Sequence, residues 1–405
     1  MSQREFDVVL YGASGFTGRQ TVDYFHRCAP PGLRWAVGGR NPDKIQGVLD
    51  VYASGRDVEI IEADGAERGQ VDEVCRRTRV VLTTAGPFSR YGRHLADACV
   101  AHGTHYVDIT GETTFVADLI ADHHVAASAR GTRIIPFCGF DSVPSDLGVW
   151  LAADYFRQRG QTLGDVISAF KMRGGLNGGT MATALAMAED GEQERINDVL
   201  LLNPSGPDNE RERSESSDLV RPLKHHHFGW LTPFVMAPIN TRVVRRTNGL
   251  LWDTNQGYGP AFRYTEAFQA KNRFGAHVFA SSMGMVDRLL RYGWGRRILS
   301  RFTPNPGEGP STDAMDSGFF SARFYAKSTT GSTVEVKLFS AGDPGNRVTV
   351  TALCESALCL ALDEDRLAVE ALQGGILTPM SGLGRPVVDR LKKAGWSMEI
   401  TPLNE

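Results

Sequence analysis

The chain opens with a β-rich run, a glycine loop and the start of a helix, and this succession constrains its fold more than any other feature. The loop directly follows the apolar run Asp7–Tyr11 and consists of Gly12, Ala13, Ser14, Gly15, Phe16, Thr17 and Gly18. Glycine is needed where a backbone turns tightly and where a helix packs closely on a strand. The helix N-terminus then offers N–H groups and a positive dipole to phosphates. The spacing G-x-x-G-x-x-G therefore predicts dinucleotide binding, with a purely structural tight turn as the alternative.

Short β-rich runs and longer helical stretches continue to alternate up to about residue 140. The predicted strands are Asp7–Tyr11, Leu33–Val37, Val58–Glu62, Val80–Thr84, Tyr106–Ile109 and Arg133–Phe137. Helical stretches lie near 17–27, 42–52, 67–77, 92–102 and 114–130. This alternation is typical of a parallel sheet with helices on both faces, and right-handed crossovers make it a doubly wound, Rossmann-like fold.

After Pro144 the pattern changes to that of a second, α+β domain with an antiparallel sheet. Ser145–Arg159 predicts a helix with Ser145 as its N-cap. Strands are predicted at Val166–Met172, Phe319–Ser328, Ser332–Ser340, Arg347–Leu353 and Trp396–Ile400, and C-terminal helices near 350–362, 365–373 and 381–394. We therefore divide the chain into domains 1–140 and 141–354 and expect 355–405 to pack back onto the first.

The end of the second predicted strand distinguishes between the two nicotinamide cofactors. An NAD-specific site usually carries an acidic residue there, which holds the ribose 2′-hydroxyl. This chain has Gly38-Gly39-Arg40-Asn41 instead, and Arg40 follows Gly18 by 22 residues. A guanidinium suits a 2′-phosphate because it can donate two hydrogen bonds. The sequence thus favours NADP over NAD, the alternative being an arginine that caps a surface turn.

Further loops follow strands at the same edge of the predicted sheet. Asp64 follows the third strand, where it would meet adenine or serve as a helix N-cap. Ala85, Gly86 and Pro87 follow the fourth strand and should border the nicotinamide ribose, because ligands bind outside the carboxyl ends of parallel strands. Asp108 and Glu112 flank a turn after the fifth strand, as buried caps or as part of a pocket mouth.

The composition excludes several classes of protein. With 405 residues, 41% of them hydrophobic and 22% charged, the chain predicts a soluble globular protein of two domains. The net charge of −3 gives no support for a nucleic acid partner. Six cysteines without C-x-x-C spacing favour reduced thiols in a cytoplasm over disulfides or a zinc site.

The sequence offers little for a membrane span or a metal. Signal-peptide features and apolar runs of about 18 residues are missing, so we expect a cytoplasmic location. Lys271–Phe302 holds seven basic residues, one acidic residue and several aromatics, which predicts a helix pair over the second domain or, alternatively, peripheral contact with a membrane or acyl chain. His225–His227 do not face one point in a helix or strand, so we expect a surface tract and no metal site.

Longer motifs narrow the enzyme class. The Tyr-x-x-x-Lys pair of short-chain reductases is missing, since Tyr91, Tyr106 and Tyr155 each lack a lysine four positions on. The chain instead resembles the saccharopine dehydrogenase-like oxidoreductases, above all the trans-acting enoyl reductases of mycobacterial polyketide-lipid synthesis. The similar stretches run nearly end to end and are Phe6–Gly18, Leu82–Gly92, Gly103–Glu112, Cys138–Leu147, Gly174–Thr183, Ala237–Thr247 and Gly375–Gly384.

This resemblance implies that NADPH reduces an acyl or polyketide chain carried by a synthase or carrier protein. Hydride would reach the β-carbon of an α,β-unsaturated thioester, and the α-carbon would need a proton. Tyr91, after the fourth-strand turn, and Asp141 and Ser142, after the sixth strand, are the candidate catalytic residues. In saccharopine reductases, a loop similar to the one around Asp141 borders the substrate. The alternatives are packing for Tyr91 and helix capping for the other two.

Other interpretations remain open at the level of sequence. Arg242, Arg245 and Arg246 would bind an anionic phosphopantetheine arm or form a solvated face. Gly174–Thr180 would admit substrate close to the backbone or form a plain turn. An amino-acid dehydrogenase acting on an imine is an alternative activity, and should need an Arg and Lys cluster for its carboxylates. A non-catalytic NADP-binding, lipid-associated protein is another.

Overall fold

The computed structural model describes residues 4–174, 193–204, 216–252, 254–290, 292–300 and 308–404. The glycine-rich stretch after Gly174, which was a candidate substrate contact, lies outside the described residues. Among the helices described, none has the length and apolar character needed to cross a lipid bilayer.

The N-terminal part of the chain folds into the predicted parallel sheet, covered by helices. Its strands are β1 Phe6–Tyr11, β2 Trp35–Gly39, β3 Ile60–Glu62, β4 Thr78–Thr83, β5 His105–Val107 and β6 Arg133–Ile135. Its helices are α1 Phe16–Cys28, α2 Pro42–Tyr52, α3 Arg68–Arg77, α4 Phe88–Tyr91, α5 Arg93–His102 and α6 Thr113–Ala129. Val8, Val9 and Leu10 of β1 are all buried, because helices cover both faces of the sheet.

Helix α7, Val143–Arg157, leads into a second sheet. Its strands are β7 Leu163–Arg173, β8 Leu223–His225, β9 Gly229–Pro233, β10 Arg263–Gln269, β11 Phe319–Ser328 and β12 Thr333–Ala341. The helices described in this part are α8 Gln193–Asn197, α9 Ala237–Leu251, α10 Arg273–Leu290, α11 Gly293–Ser300 and α12 Thr312–Asp316. The predicted meander is antiparallel, as β11 pairs with β12, whereas β7 and β10 are parallel and make the sheet mixed.

The C-terminal residues contribute to both sheets. A π-helical turn, Pro344–Val348, precedes α13 Thr349–Leu362, α14 Glu364–Glu370, β13 Gly375–Ile376, α15 Pro379–Lys393 and β14 Ser397–Asn404. Among the described residues, the first sheet has seven strands in the order β13-β6-β5-β4-β1-β2-β3. The second has the order β14-β12-β11-β7-β10-β9-β8. The last strand therefore joins the second sheet, while β13 is an edge strand of the first sheet and α13 packs against that sheet.

The predicted strand at Arg347–Leu353 is wrong, because these residues end the π-helical turn and begin α13. The Asp343 carboxylate accepts the Arg347 N–H at 3.1 Å and so starts the helical path. Helix α13 is packed between strand β4 and helix α15, and its side chains are buried on nearly every side. A short apolar run of this kind does not distinguish a buried strand from a buried helix.

Candidate functional site

The glycine loop takes the shape that its spacing predicts. Gly12 has φ of +92°, a conformation that disfavours any side chain. A Cβ atom at Gly12 would also lie 3.0 Å from the Ala85 nitrogen. At Gly18 a Cβ atom would overlap the Gly12 carbonyl oxygen, so this glycine lets α1 pack directly on the loop. The glycines are therefore required by both backbone conformation and close approach.

The N-terminus of α1 is open to an anion. Gly15 occupies the N-cap position, no side chain caps the helix, and its first turn contains no acidic residue. The amide groups of this turn therefore keep their positive potential, at the carboxyl end of β1 where a pyrophosphate would lie. Ser14 is exposed and Ala13 is buried beneath the loop. These residues fit the phosphates of a dinucleotide.

Arg40 and Asp64 follow the next two strand ends, and the charges of both act on Tyr11, whose hydroxyl donates to the Ala63 carbonyl at 3.0 Å. Burial and the Asp64 carboxylate raise the pKa of Tyr11 to about 12, and the Arg40 guanidinium opposes that rise. Arg40 is exposed and makes no hydrogen bond or ion pair to the described residues. Asp64 accepts the Ala66 N–H at 3.0 Å and so forms a turn, whereas α3 begins only at Arg68. The N-cap alternative for Asp64 is therefore wrong.

The loop after β4 closes against the glycine loop. The Thr84 hydroxyl donates to the Gly12 carbonyl at 3.2 Å, which places Ala85 beside the glycine loop. Gly86 and Pro87 follow, joined by a cis peptide bond. The buried Glu112 carboxylate accepts the N–H groups of Phe88 at 2.7 Å and Ser89 at 2.8 Å. Glu112 thus fixes this turn from 24 residues further along the chain. It acts as a buried cap, which was one of the two roles considered for it.

Asp108 fixes the loop that follows β6. Its carboxylate accepts the Tyr106 hydroxyl at 2.7 Å and the Phe137 N–H at 3.2 Å. Burial raises the pKa of Asp108 to about 7, and these hydrogen bonds oppose the rise. Phe137 has φ of +65°, a strained conformation for a residue with a side chain. The Asp108 contact holds that bend, which turns the chain towards Asp141.

Asp141 has the properties expected of a proton donor. It is half-buried, and burial raises its pKa to about 6. Within the described part of the chain no hydrogen bond or ion pair engages its carboxyl group. A carboxyl group that is neither paired nor fully exposed keeps its proton closer to neutral pH than an ordinary aspartate.

Ser142, the neighbouring candidate, is fully buried and engaged. Its hydroxyl donates to the Asn240 side chain at 3.2 Å. Asn240 donates in turn to Glu266 at 2.6 Å, and Glu266 also accepts from Ser145 at 2.8 Å and Tyr264 at 2.7 Å. Burial raises the pKa of Glu266 to about 7. The sequence analysis missed this network, whose members lie on three separate elements, the start of α7, α9 and β10.

Helix α7 does not start at Ser145 as predicted, and the Ser145 hydroxyl belongs to this buried network instead. The helix begins at Val143 with Ser142 at the N-cap position, so Ser145 is not the N-cap but lies inside the first turn. Its hydroxyl is directed at Glu266 rather than at the helix backbone. Tyr91, the third candidate, is 49% exposed at the end of α4, next to Gly65 and apart from the buried network.

The three arginines of α9 belong to the core. Arg242, Arg245 and Arg246 are each at most 2% exposed, so a solvated face is wrong. Arg242 pairs with Asp218, Arg245 donates to the Val199 carbonyl at 3.1 Å, and Arg246 donates to the carbonyls of Leu202 and Ile376. Their guanidinium groups bind neighbouring chain segments together.

The histidine tract lies against the second sheet. The rings of His225 and His227 lie 5.3 and 5.2 Å from the ring of Tyr325, and His227 bonds to Glu335 at 2.5 Å. Among the described residues, no group of three or more His, Cys, Asp or Glu side chains is placed to hold a metal ion.

Comparison with known proteins agrees with this geometry. Residues 8–135 match the family model of the saccharopine dehydrogenase NADP binding domain. A trans-acting enoyl reductase of Mycobacterium tuberculosis is 34% identical, covering 100% of this chain and 99% of its own. A trans-acting enoyl reductase of Mycobacterium leprae is 34% identical, covering 99% of each chain. This chain belongs to the trans-acting enoyl reductase family.

A solved structure supports the fold over the whole length. Saccharopine dehydrogenase (L-Glu forming) of Saccharomyces cerevisiae matches with a TM-score of 0.51 and 14% identity, covering 98% of this chain and 100% of that one. The predicted superfamily, α/β fold and NADP cofactor are thus confirmed. Residues 12–18, Arg40, Asp64 and 85–87 line one edge of the matched domain, where NADP would be held.

Proposed function

We propose that this enoyl reductase family member uses NADPH to reduce the C=C bond of an α,β-unsaturated acyl thioester presented by a separate synthase or its carrier. The observation that carries the proposal is the presence of two features at the carboxyl edge of the first sheet. One is a glycine loop suited to phosphates, and the other is Asp141, a half-buried acid whose carboxyl group bonds to none of the described residues. The names of the full-length relatives support the reaction type.

Each residue has a distinct part in the proposed reaction. When bound, NADPH would supply the hydride that the β-carbon gains. The amide groups at the start of α1 and Arg40 bind and orient the phosphates. Asp141 donates its proton to the α-carbon, so that the enolate becomes the saturated thioester and the carboxylate is left to be reprotonated by water. Asp108 and Glu112 position the two loops between which the acyl chain would lie.

The imine-reducing alternative lacks support in the structure. It needs cationic side chains directed at substrate carboxylates, and the α9 arginines are instead buried and bonded to the protein's own groups. No Arg and Lys cluster of that kind is built from α9.

The experiment is NADPH oxidation with enoyl thioesters of increasing chain length, with the saturated thioester of each length as its matched control. We expect turnover with the enoyl compounds alone, and a product that has gained one hydride and one proton by mass spectrometry. Tight NADPH binding without turnover at any length would instead favour a non-catalytic NADP-binding protein.

A further inference from the structure

Helix α10 and the start of α11, with Tyr292 just before it, expose apolar side chains to solvent. The exposed fractions are 78% for Phe274, 51% for Val278, 67% for Met285, 49% for Tyr292 and 57% for Trp294. Phe274, Val278 and Met285 are spaced by four and seven residues, so they form one stripe along α10. Isolated exposed apolar residues are ordinary, but a row of three along one helix face, followed in the chain by two exposed aromatic residues, indicates a binding surface.

The opposite side of α10 is firmly packed. Ala276 is fully buried, and its carbonyl accepts the Thr232 hydroxyl of β9 at 3.0 Å. The Phe279 ring stacks on Phe268 of β10 with centroids 5.4 Å apart. The helix is therefore fixed in rotation, and its exposed stripe is held outward rather than left loose.

Cations flank the stripe at both ends. Lys271 lies one turn before Phe274 and Arg288 lies one turn after Met285, and both are exposed. The described residues between 271 and 300 include five Lys or Arg and one Asp, in a chain whose net charge is −3. This local excess complements a negatively charged surface. It also opposes two-fold pairing of the stripe with its own copy, because like charges would meet.

We propose that this side of α10 and α11 binds the surface of an anionic lipid bilayer, with the helices lying in the plane of the headgroups. Phe274, Val278 and Met285 would enter the boundary with the acyl chains, while Tyr292 and Trp294, stacked at 6.2 Å, would lie at headgroup level. Lys271 and Arg288 would contact lipid phosphates and keep their charges in water. This inference is independent of the proposed reaction.

A vesicle sedimentation assay with the full chain tests it. We expect binding to vesicles of phosphatidylcholine with phosphatidylglycerol, little binding to phosphatidylcholine alone, and weaker binding as salt increases. The double variant F274S/W294S should bind at least about tenfold more weakly, since two apolar side chains no longer leave water. Its matched control is V125S/V369S, which removes two residues that are each 82% exposed on other elements.

The cations are tested separately. K271Q/R288Q should lose about fivefold for each charge removed, or roughly 25-fold in all. K392Q/K393Q, at exposed lysines on α15, is its matched control and should bind like the original protein. NADPH affinity, measured on every variant, should be unchanged and so report an intact fold.

Several outcomes would overturn the proposal. One is absence of binding to anionic vesicles, and another is equal binding by F274S/W294S and its control. A dimer in sedimentation velocity that F274S/W294S abolishes would assign the surface to a second copy. Binding of an acidic carrier protein, without binding of vesicles, would assign it to that partner.

Discussion

Arginine occupies two contrasting environments in this protein, at the carboxyl end of β2 and along α9. Arg40 is exposed and makes no bond to the described residues, whereas Arg246 is 1% exposed and donates to two backbone carbonyls. Burial lowers the pKa of Arg246 to about 9. One guanidinium is available to a ligand, and the other has become part of the scaffold.

The contrast shows why the sequence around Arg40 indicated a cofactor site, whereas the arginine cluster of α9 did not indicate an anion-binding site. Arg40 lies next to its own strand and loop, so its position follows from local order along the chain. The position of Arg246 depends on residues 202 and 376, which lie far away in sequence. An arginine cluster in a sequence therefore says little about anion binding until its surroundings are known.

The largest expected effect concerns Asp141, because neither Arg40 nor the arginines of α9 can donate the proton that the α-carbon needs. Asp141→Asn should lower kcat for an enoyl thioester by about 10²- to 10⁴-fold, because the side chain no longer donates a proton. Burial raises the pKa of Asp141 to about 6, so the protonated, active form is depleted as pH increases. In the unchanged protein kcat/KM should accordingly fall as pH rises through about 6.

Ser142→Ala is the matched control for that experiment. The Ser142 hydroxyl is buried and bonded to Asn240, so its loss should leave kcat close to the original value. A large loss with Ser142→Ala and near-normal activity with Asp141→Asn would reverse the two assignments.

The next effect tests the scaffold role of α9. Arg246→Met should lower the free energy of unfolding by about 3 kcal/mol, because the buried carbonyls of Leu202 and Ile376 lose their donor. Urea unfolding measures the change, and the NADPH affinity of the folded fraction should be unaffected. Unaltered stability together with weaker cofactor binding would remove the distinction between the two arginines.

The smallest effect tests the ligand role of Arg40. Arg40→Met should raise the Kd for NADPH about tenfold, because a charge-assisted hydrogen bond to the 2′-phosphate is lost. The Kd for NADH and the free energy of unfolding should be unchanged. Fluorescence titration with both cofactors measures it, with Lys44→Met, an exposed residue in the first turn of α2, as the matched control. Equal weakening of NADPH and NADH would show that Arg40 does not contact the 2′-phosphate.

Much of the cofactor edge was predictable because its chemistry is local. The loop 12–18 and its strand–loop–helix context gave the fold class and the dinucleotide. The predictions failed where contacts with distant parts of the fold outweighed the local sequence pattern. Arg347–Leu353, for example, has the composition of a strand but leads into a helix buried between β4 and α15. Ser145 resembles an N-cap, yet the buried Glu266 accepts its hydroxyl.

The amino-acid sequence by itself determined the glycine loop, the alternating first sheet and the family, since each depends on residues close together along the chain or on long shared motifs. Only the tertiary structure decided that Asp141 bonds to none of the described residues while Ser142 bonds to Asn240. It alone also decided that the α9 arginines are buried and that the apolar stripe of α10 faces outward. Burial and charge pairing are set by distant segments, and those contacts do not exist until the chain has folded.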